Sequence, residues 1–207
     1  MKLYTFSPAP NPQRVNYLLK YKGVSIETQE VDLREQAHFD QAYLDINPSA
    51  TVPALYIDEN CTLVDGIAIC HYLDKKFPEK PLFGKTDEET AVILGWVHRI
   101  YVDGLGAVAE ILRNTSEFFK GRAIPGTLSV EQLPALAERG LIRLNAFFDM
   151  LDKRLKNHEY IVGDKLTQAD IDAYVACNFA GWVKQSVPEK NEHLIAWHKK
   201  MMNILDT

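Results

Sequence analysis

The sequence predicts a chain of two domains: an α/β domain over residues 1–80 and an all-helical domain over residues 88–207, joined by a linker at 81–87. Three observations predict this. Up to about residue 77, strand-like and helix-like runs follow the order β-α-β and then β-β-α. The stretch Pro78-Glu79-Lys80-Pro81-Leu82-Phe83-Gly84-Lys85 has the composition of a connection. After it, the remaining long segments carry helical periodicity.

Residues 2–6 form a short strand, with Leu3 and Thr5 on one face and Tyr4 and Phe6 on the other. Ser7-Pro8-Ala9-Pro10-Asn11-Pro12 is a loop, because its three prolines remove backbone donors and fix φ. Pro12 suits the first turn of a helix running to about Tyr21, with Val15, Leu18 and Leu19 on its apolar face and Gly23 closing it. Residues 25–31 alternate as a second strand, and 36–44 are a short helix or irregular. Residues 53–57 and 61–63 pair as a hairpin around Asp58-Glu59-Asn60, and 65–77 are helical. In the second domain, one long helix is expected over 88–117, a loop over 121–129, a second long helix over 130–157, and two more over 168–182 and 189–205. Leu166-Thr167-Gln168-Ala169-Asp170-Ile171 reads as a capping box, with Thr167 as N-cap, Asp170 at the third helical position, and Leu166 and Ile171 as the hydrophobic staple. Its expected role is folding.

Hydrophobic residues make up 46% of the chain, charged residues 25%, and the net charge is −5, a balance typical of soluble globular proteins. No cluster of Lys and Arg supplies the basic face that a nucleic acid or an anionic membrane surface requires. The first eight residues are too short and proline-broken to read as a signal peptide, and no apolar run approaches the roughly 18 residues of a membrane span. Cys61, Cys70 and Cys177 lack C-x-x-C spacing, which points to free thiols in a reducing, cytoplasmic compartment. The histidines are scattered without metal-ligand spacing, so no metal is expected.

The most informative segment is Asn47-Pro48-Ser49-Ala50-Thr51-Val52-Pro53-Ala54-Leu55. Proline at the start of a strand cannot donate to the ladder, so the backbone turns away there. The Val52 N–H and C=O are then open to pair with the backbone of a small peptide, in the manner of an added strand. This segment resembles the Asn-Pro-x-x-x-Val-Pro-x-Leu stretch of the cytosolic glutathione transferases, and the order of the other motifs matches that family over nearly the whole chain. The resemblance implies a thioredoxin-like N-terminal domain and an all-α C-terminal domain, a cis Val52–Pro53 bond, and a backbone pairing of Val52 with the cysteinyl residue of glutathione.

In the family, an acidic residue followed by Ser opens the third helix and holds the γ-glutamyl end of glutathione. Here the pair is Asp65-Gly66, so the backbone donors remain and the hydroxyl is lost. Helix N-termini favour carboxylates through free N–H groups and the macrodipole. Asp65 is read as the N-cap and as a partner for the γ-glutamyl ammonium. The Lys common just before Val-Pro is Thr51 here. The first loop resembles that of bacterial Nu-type proteins, with Asn11 in the place of the thiolate-stabilising Asn, Ala9 in the place of a Thr, and Ser7 as the alternative donor.

Half-ionising a thiol at pH 7 needs about 1.5 pKa units, or roughly 2 kcal/mol. One donor to a charged acceptor supplies that order of energy, so Asn11 is sufficient in principle. On the long helix, the resemblance implies that Tyr101 faces an acceptor pocket and that Asp103 reaches the glutathione amine of a partner subunit. Gly95, Gly104, Gly106 and Ala107 are read as permitting the close helix approach of a homodimer. The expected activity is transfer of glutathione to a small electrophile. The alternatives are glutathione-dependent reduction of a disulfide or peroxide substrate, and a non-catalytic binding module on the same fold.

Overall fold

A computed structural model describes residues 1–206. The chain divides into two compact units, one formed by Met1–Lys80 with Ile124–Ser129, the other by Pro81–Ala123 with the residues from Val130 onward.

The first unit is built on a four-stranded sheet of order β2-β1-β3-β4. Strand β1 (Lys2–Thr5) runs parallel to β2 (Glu27–Glu30) after the crossover helix α1 (Pro10–Lys22). It runs antiparallel to β3 (Ala54–Asp58), which returns as β4 (Cys61–Leu63). The two halves of residues 36–44 resolve as a 3₁₀ turn at Ala37–Phe39 and a four-residue helix α2 (Gln41–Leu44). Helix α3 (Gly66–Lys76) packs beside α1. Leu3, Val15, Leu18, Leu55, Ile69 and Leu73 are buried, while Val31, Tyr43 and Ala54 form a separate cluster with Tyr4.

The buried residues of α1 are Pro12, Arg14, Val15, Leu18, Leu19 and Lys22. They therefore include two cations that the apolar reading of this helix omits. Gly23 ends the helix at φ +69°, a left-handed conformation that glycine adopts without Cβ cost. Lys22 Nζ lies 2.6 Å from Asp74 Oδ1 and donates to the carbonyls of Phe77, Glu79 and Lys80 at 2.9–3.0 Å. The ammonium thus ties the end of α1 to the end of α3, with its three donors fully engaged.

In the second unit the predicted continuous helix over 88–117 is interrupted. Helix α4 (Asp87–Ile100) passes through a π-helical turn at Tyr101–Leu105 into α5 (Gly106–Thr115). A Cβ on Gly104 would lie 2.7 Å from the Phe147 ring, so glycine lets this turn seat directly on that ring. By length and composition, the run Asp87–Thr115 is long and apolar enough to cross a membrane, unlike the reading from the sequence. Its Ile93, Val97, Ile100, Leu105 and Val108 are buried. Helix α6 (Pro134–Leu155) begins later than expected, because Val130 bridges Arg122 and a proline suits the first helical position. Helices α7 (Gln168–Ala180) and α8 (Glu192–Leu205) complete the unit.

Two of the small residues read as dimer contacts have an internal use. Gly104 faces Phe147, and the Ala107 carbonyl oxygen lies 2.8 Å from the position a Cβ on Gly140 would take, where α5 meets α6. The capping box forms as read. Asp170 Oδ2 accepts from the Thr167 N–H at 3.0 Å and its hydroxyl at 2.9 Å, while Oδ1 accepts from the Ile161 N–H at 2.9 Å and Trp197 Nε1–H at 3.2 Å. Leu166 and Ile171 are buried beside it.

Candidate functional site

The register of the sheet gathers three segments at one edge. Tyr4, near the end of β1, pairs with Ala54 at the start of β3, and Leu55 pairs with Leu63 at the end of β4. The loop after β1, the turn before β3 and the entry to α3 therefore emerge side by side. Asn11, Thr51-Val52-Pro53 and Asp65-Gly66 sit on these three segments.

The turn before β3 is fixed by the Asn47 side chain, for which no role was expected. Asn47 is fully buried. Its Nδ2 donates to the Thr51 carbonyl at 2.8 Å and to Thr51 Oγ1 at 3.1 Å, and its Oδ1 accepts from the Ser49 N–H at 3.0 Å. The Tyr43 hydroxyl also donates to the Thr51 carbonyl, and burial pushes that phenol up to about 12, so it stays a donor. Ala50 takes the left-handed conformation (φ +50°) that closes the turn. The Val52–Pro53 bond is cis, as the resemblance implies. Among the described residues, the Val52 N–H and C=O take no hydrogen-bond partner. Thr51 is thus consumed in holding the turn, and Val52 presents its backbone.

On the loop after β1, Pro10 opens α1 and Asn11 occupies its second position, half-buried. Asn11 Oδ1 accepts from Arg14 Nη1 at 3.2 Å. A guanidinium only donates, so the amide oxygen must face it and the Nδ2–H₂ group must point elsewhere. Arg14 is 2% exposed, and its Nη1 lies 3.4 Å from where a Cβ on Gly66 would stand, with the Asn11 carbonyl 3.6 Å from the same point. The N-termini of α1 and α3 therefore meet around one guanidinium. The signal in the sequence was an arginine three residues after Asn11, in register with Leu18 on the inward stripe.

Ser7 is engaged otherwise. Its hydroxyl and N–H both donate to the Glu30 carboxylate, the amide at 3.1 Å. Asp65 occupies the N-cap position of α3, but its side chain makes no capping hydrogen bond, which corrects the reading of it as a capping side chain. The exposed carboxylate stays beside backbone donors that no side chain covers. Asp103 lies in the π-helical turn of the other unit, its carboxylate 3.6 Å from Arg143, which also pairs with Glu110 at 3.1 Å. Tyr101 is exposed.

Residues 9–76 match the family model described as the N-terminal domain of glutathione S-transferase, and residues 107–204 match the corresponding C-terminal domain. The chain is 32% identical over 206 residues to glutathione S-transferase 2 of Saccharomyces cerevisiae, covering 97% of this chain and 85% of the relative. It is 28% identical to a maleylacetoacetate isomerase of Pseudomonas aeruginosa, over 71% of this chain and 86% of that one. Among solved structures, a glutathione S-transferase domain-containing protein of Marinobacter aquaeolei superposes with a TM-score of 0.89 at 29% identity, covering 98% of this chain and 97% of the other.

Proposed function

The chain belongs to the glutathione S-transferase family, and from that premise we propose that it binds glutathione at the sheet edge where Asn11, Val52 and Gly66 gather, and ionises the thiol for attack on a small electrophile. The Val52 N–H and C=O pair with the cysteinyl backbone. The free N–H groups opening α3, those of Gly66 and the residues after it, receive the γ-glutamyl carboxylate. Asp65, free of a capping role, faces the ammonium of the same group. Thr51 contributes through the turn that Asn47 clamps. Asp103 is left out of this reading, since its carboxylate faces Arg143 within its own unit. The proposal includes a homodimer and a cytoplasmic setting, both carried by the resemblance alone.

The observation that carries the reading is the orientation of Asn11. With its oxygen held by Arg14, the amide offers N–H donors, as stabilisation of a thiolate requires. Ser7 already donates to Glu30. Replacing Asn11 with alanine should lower turnover about tenfold or more and raise the pH midpoint of thiol ionisation by about one unit, since a donor to a charged acceptor is worth about 1.5–3 kcal/mol. Glutathione affinity should change little. A turnover pH profile checks this, and a profile that Asn11→Ala leaves unmoved would remove Asn11 from the mechanism.

One relative carries the name of an isomerase, which favours a second reading: the same thiolate adds reversibly to a substrate double bond instead of displacing a leaving group. Assays with a chlorinated nitrobenzene, a mixed disulfide and an activated cis alkene separate conjugation, thiol exchange and isomerisation.

A further inference from the structure

The connection between α5 and α6 holds two arginines without a carboxylate partner. Arg113 closes α5 with its guanidinium over the Phe119 ring, 4.5 Å from the centroid, and Nη1 donates to the Arg122 carbonyl at 3.1 Å. Arg122 lies over the Phe118 ring at 4.9 Å, and its Nη2 donates to the Phe118 carbonyl at 2.8 Å. Each guanidinium has five N–H donors, so one hydrogen bond apiece leaves most of them unused. No acidic side chain pairs with either arginine among the described residues; Glu117 pairs instead with Lys120 at 3.3 Å.

The shortage of counter-charge is unexpected for a chain of net charge −5. A half-buried cation beside a like charge is costly unless something compensates it. Burial and the neighbouring Arg122 push Arg113 down to about 10. The segment is also braced. Gln132 Nε2 donates to the carbonyls of Arg113 and Ser116 at 2.8 Å, the Leu133 N–H donates to Asn114 Oδ1 at 2.8 Å, and the strand-like bridge between Arg122 and Val130 closes the loop. Each guanidinium already rests against a ring and is tied to a carbonyl, so less side-chain ordering is left for binding.

We propose that Arg113 and Arg122 form a binding site for an oxyanion, the carboxylate of a small organic acid or a phosphate group, on the connection between α5 and α6. Guanidinium groups match the fork geometry of both anions. This site stands independently of the glutathione reading, because none of its residues belongs to the sheet edge described above.

The test is calorimetric titration of the intact chain with inorganic phosphate and, separately, with benzoate, at fixed ionic strength balanced with sodium chloride. One arm should show saturable binding, and which arm responds identifies the source of the anion. Arg113→Gln and Arg122→Gln should each weaken that binding about tenfold or more. Lys120→Gln, an exposed neighbour, should leave it unchanged. Arg122→Lys retains the charge and the fold and should still weaken binding, since an ammonium cannot make the paired contact. Absence of saturable binding in both arms, or equal binding by the arginine variants, would overturn the proposal.

Discussion

Replacing Asp170 with alanine lowers the stability of the chain by about 3–5 kcal/mol at neutral pH. The carboxylate accepts four hydrogen bonds, from Thr167 N–H and hydroxyl, Ile161 N–H and Trp197 Nε1–H. Removing it leaves three N–H donors without an acceptor in a buried site, each at about 1–3 kcal/mol, with partial relief from the lost carboxylate. A loss of that size is comparable with the whole stability of many domains, so the variant should show a much lower urea midpoint.

The same residue sets a pH dependence. Burial pushes Asp170 up to about 6, from a usual 3.8, against the donors that pull it down. The folded chain therefore keeps this proton at a pH where the unfolded chain has released it. The corresponding stabilisation is complete below about pH 3.8 and is lost as the pH rises through about 6. The advantage of wild type over Asp170→Ala should thus narrow by about 2 kcal/mol between pH 4 and pH 7. Urea melts at the two pH values check it, and an advantage that widens with pH would show that the donors outweigh burial.

Lys22→Met is expected to cost a similar 3–5 kcal/mol, since it strips a buried carboxylate of its ammonium. Lys22 and Asp74 are both nearly inaccessible, and the ammonium also donates to the Phe77, Glu79 and Lys80 carbonyls just after α3. Adding Asp74→Leu to Lys22→Met should recover part of the loss, because an apolar pair needs no compensating charge. Denaturant midpoints of the single and double variants give the coupling directly. A double variant no better than Lys22→Met would mean that the carbonyl clamp matters more than the ion pair.

Both predictions rest on features that were unequally legible. The capping box at Thr167 and Asp170 was visible because its logic is local: a hydroxyl, a carboxylate three residues on, and apolar residues on either side. Its further donors, Ile161 and Trp197, come from segments brought in by tertiary packing, and no spacing announces them. Arg14 and Lys22 were hidden for the opposite reason. They occupy the inward stripe of α1, where charge is normally excluded, and their partners lie on α3 and the residues after it. The succession of strands and helices along the first unit followed from alternation and the proline before β3. The break in the long helix did not, because a π-helical turn depends on the Phe147 ring that Gly104 admits. At the site, the sequence located Asn11, Val52 and Gly66 but could not orient Asn11, which required the guanidinium beside it. Nor could it see that Ser7 is occupied by Glu30, a contact across 23 residues of chain.

The central claim is that the entry to α3 receives the γ-glutamyl carboxylate of glutathione, and calorimetric titration with glutathione of wild type and of Gly66→Ser tests it most directly. A Cβ at position 66 meets Arg14 Nη1 at 3.4 Å and the Asn11 carbonyl at 3.6 Å, so the serine fits with at most a small shift of the guanidinium. Its hydroxyl adds a donor where the carboxylate rests, worth about 1.5 kcal/mol or roughly tenfold in affinity. The predicted result is saturable binding of one glutathione per chain, tightened about tenfold by the serine. No saturable binding by the folded wild type, or a folded Gly66→Ser protein that binds no tighter, would contradict the account.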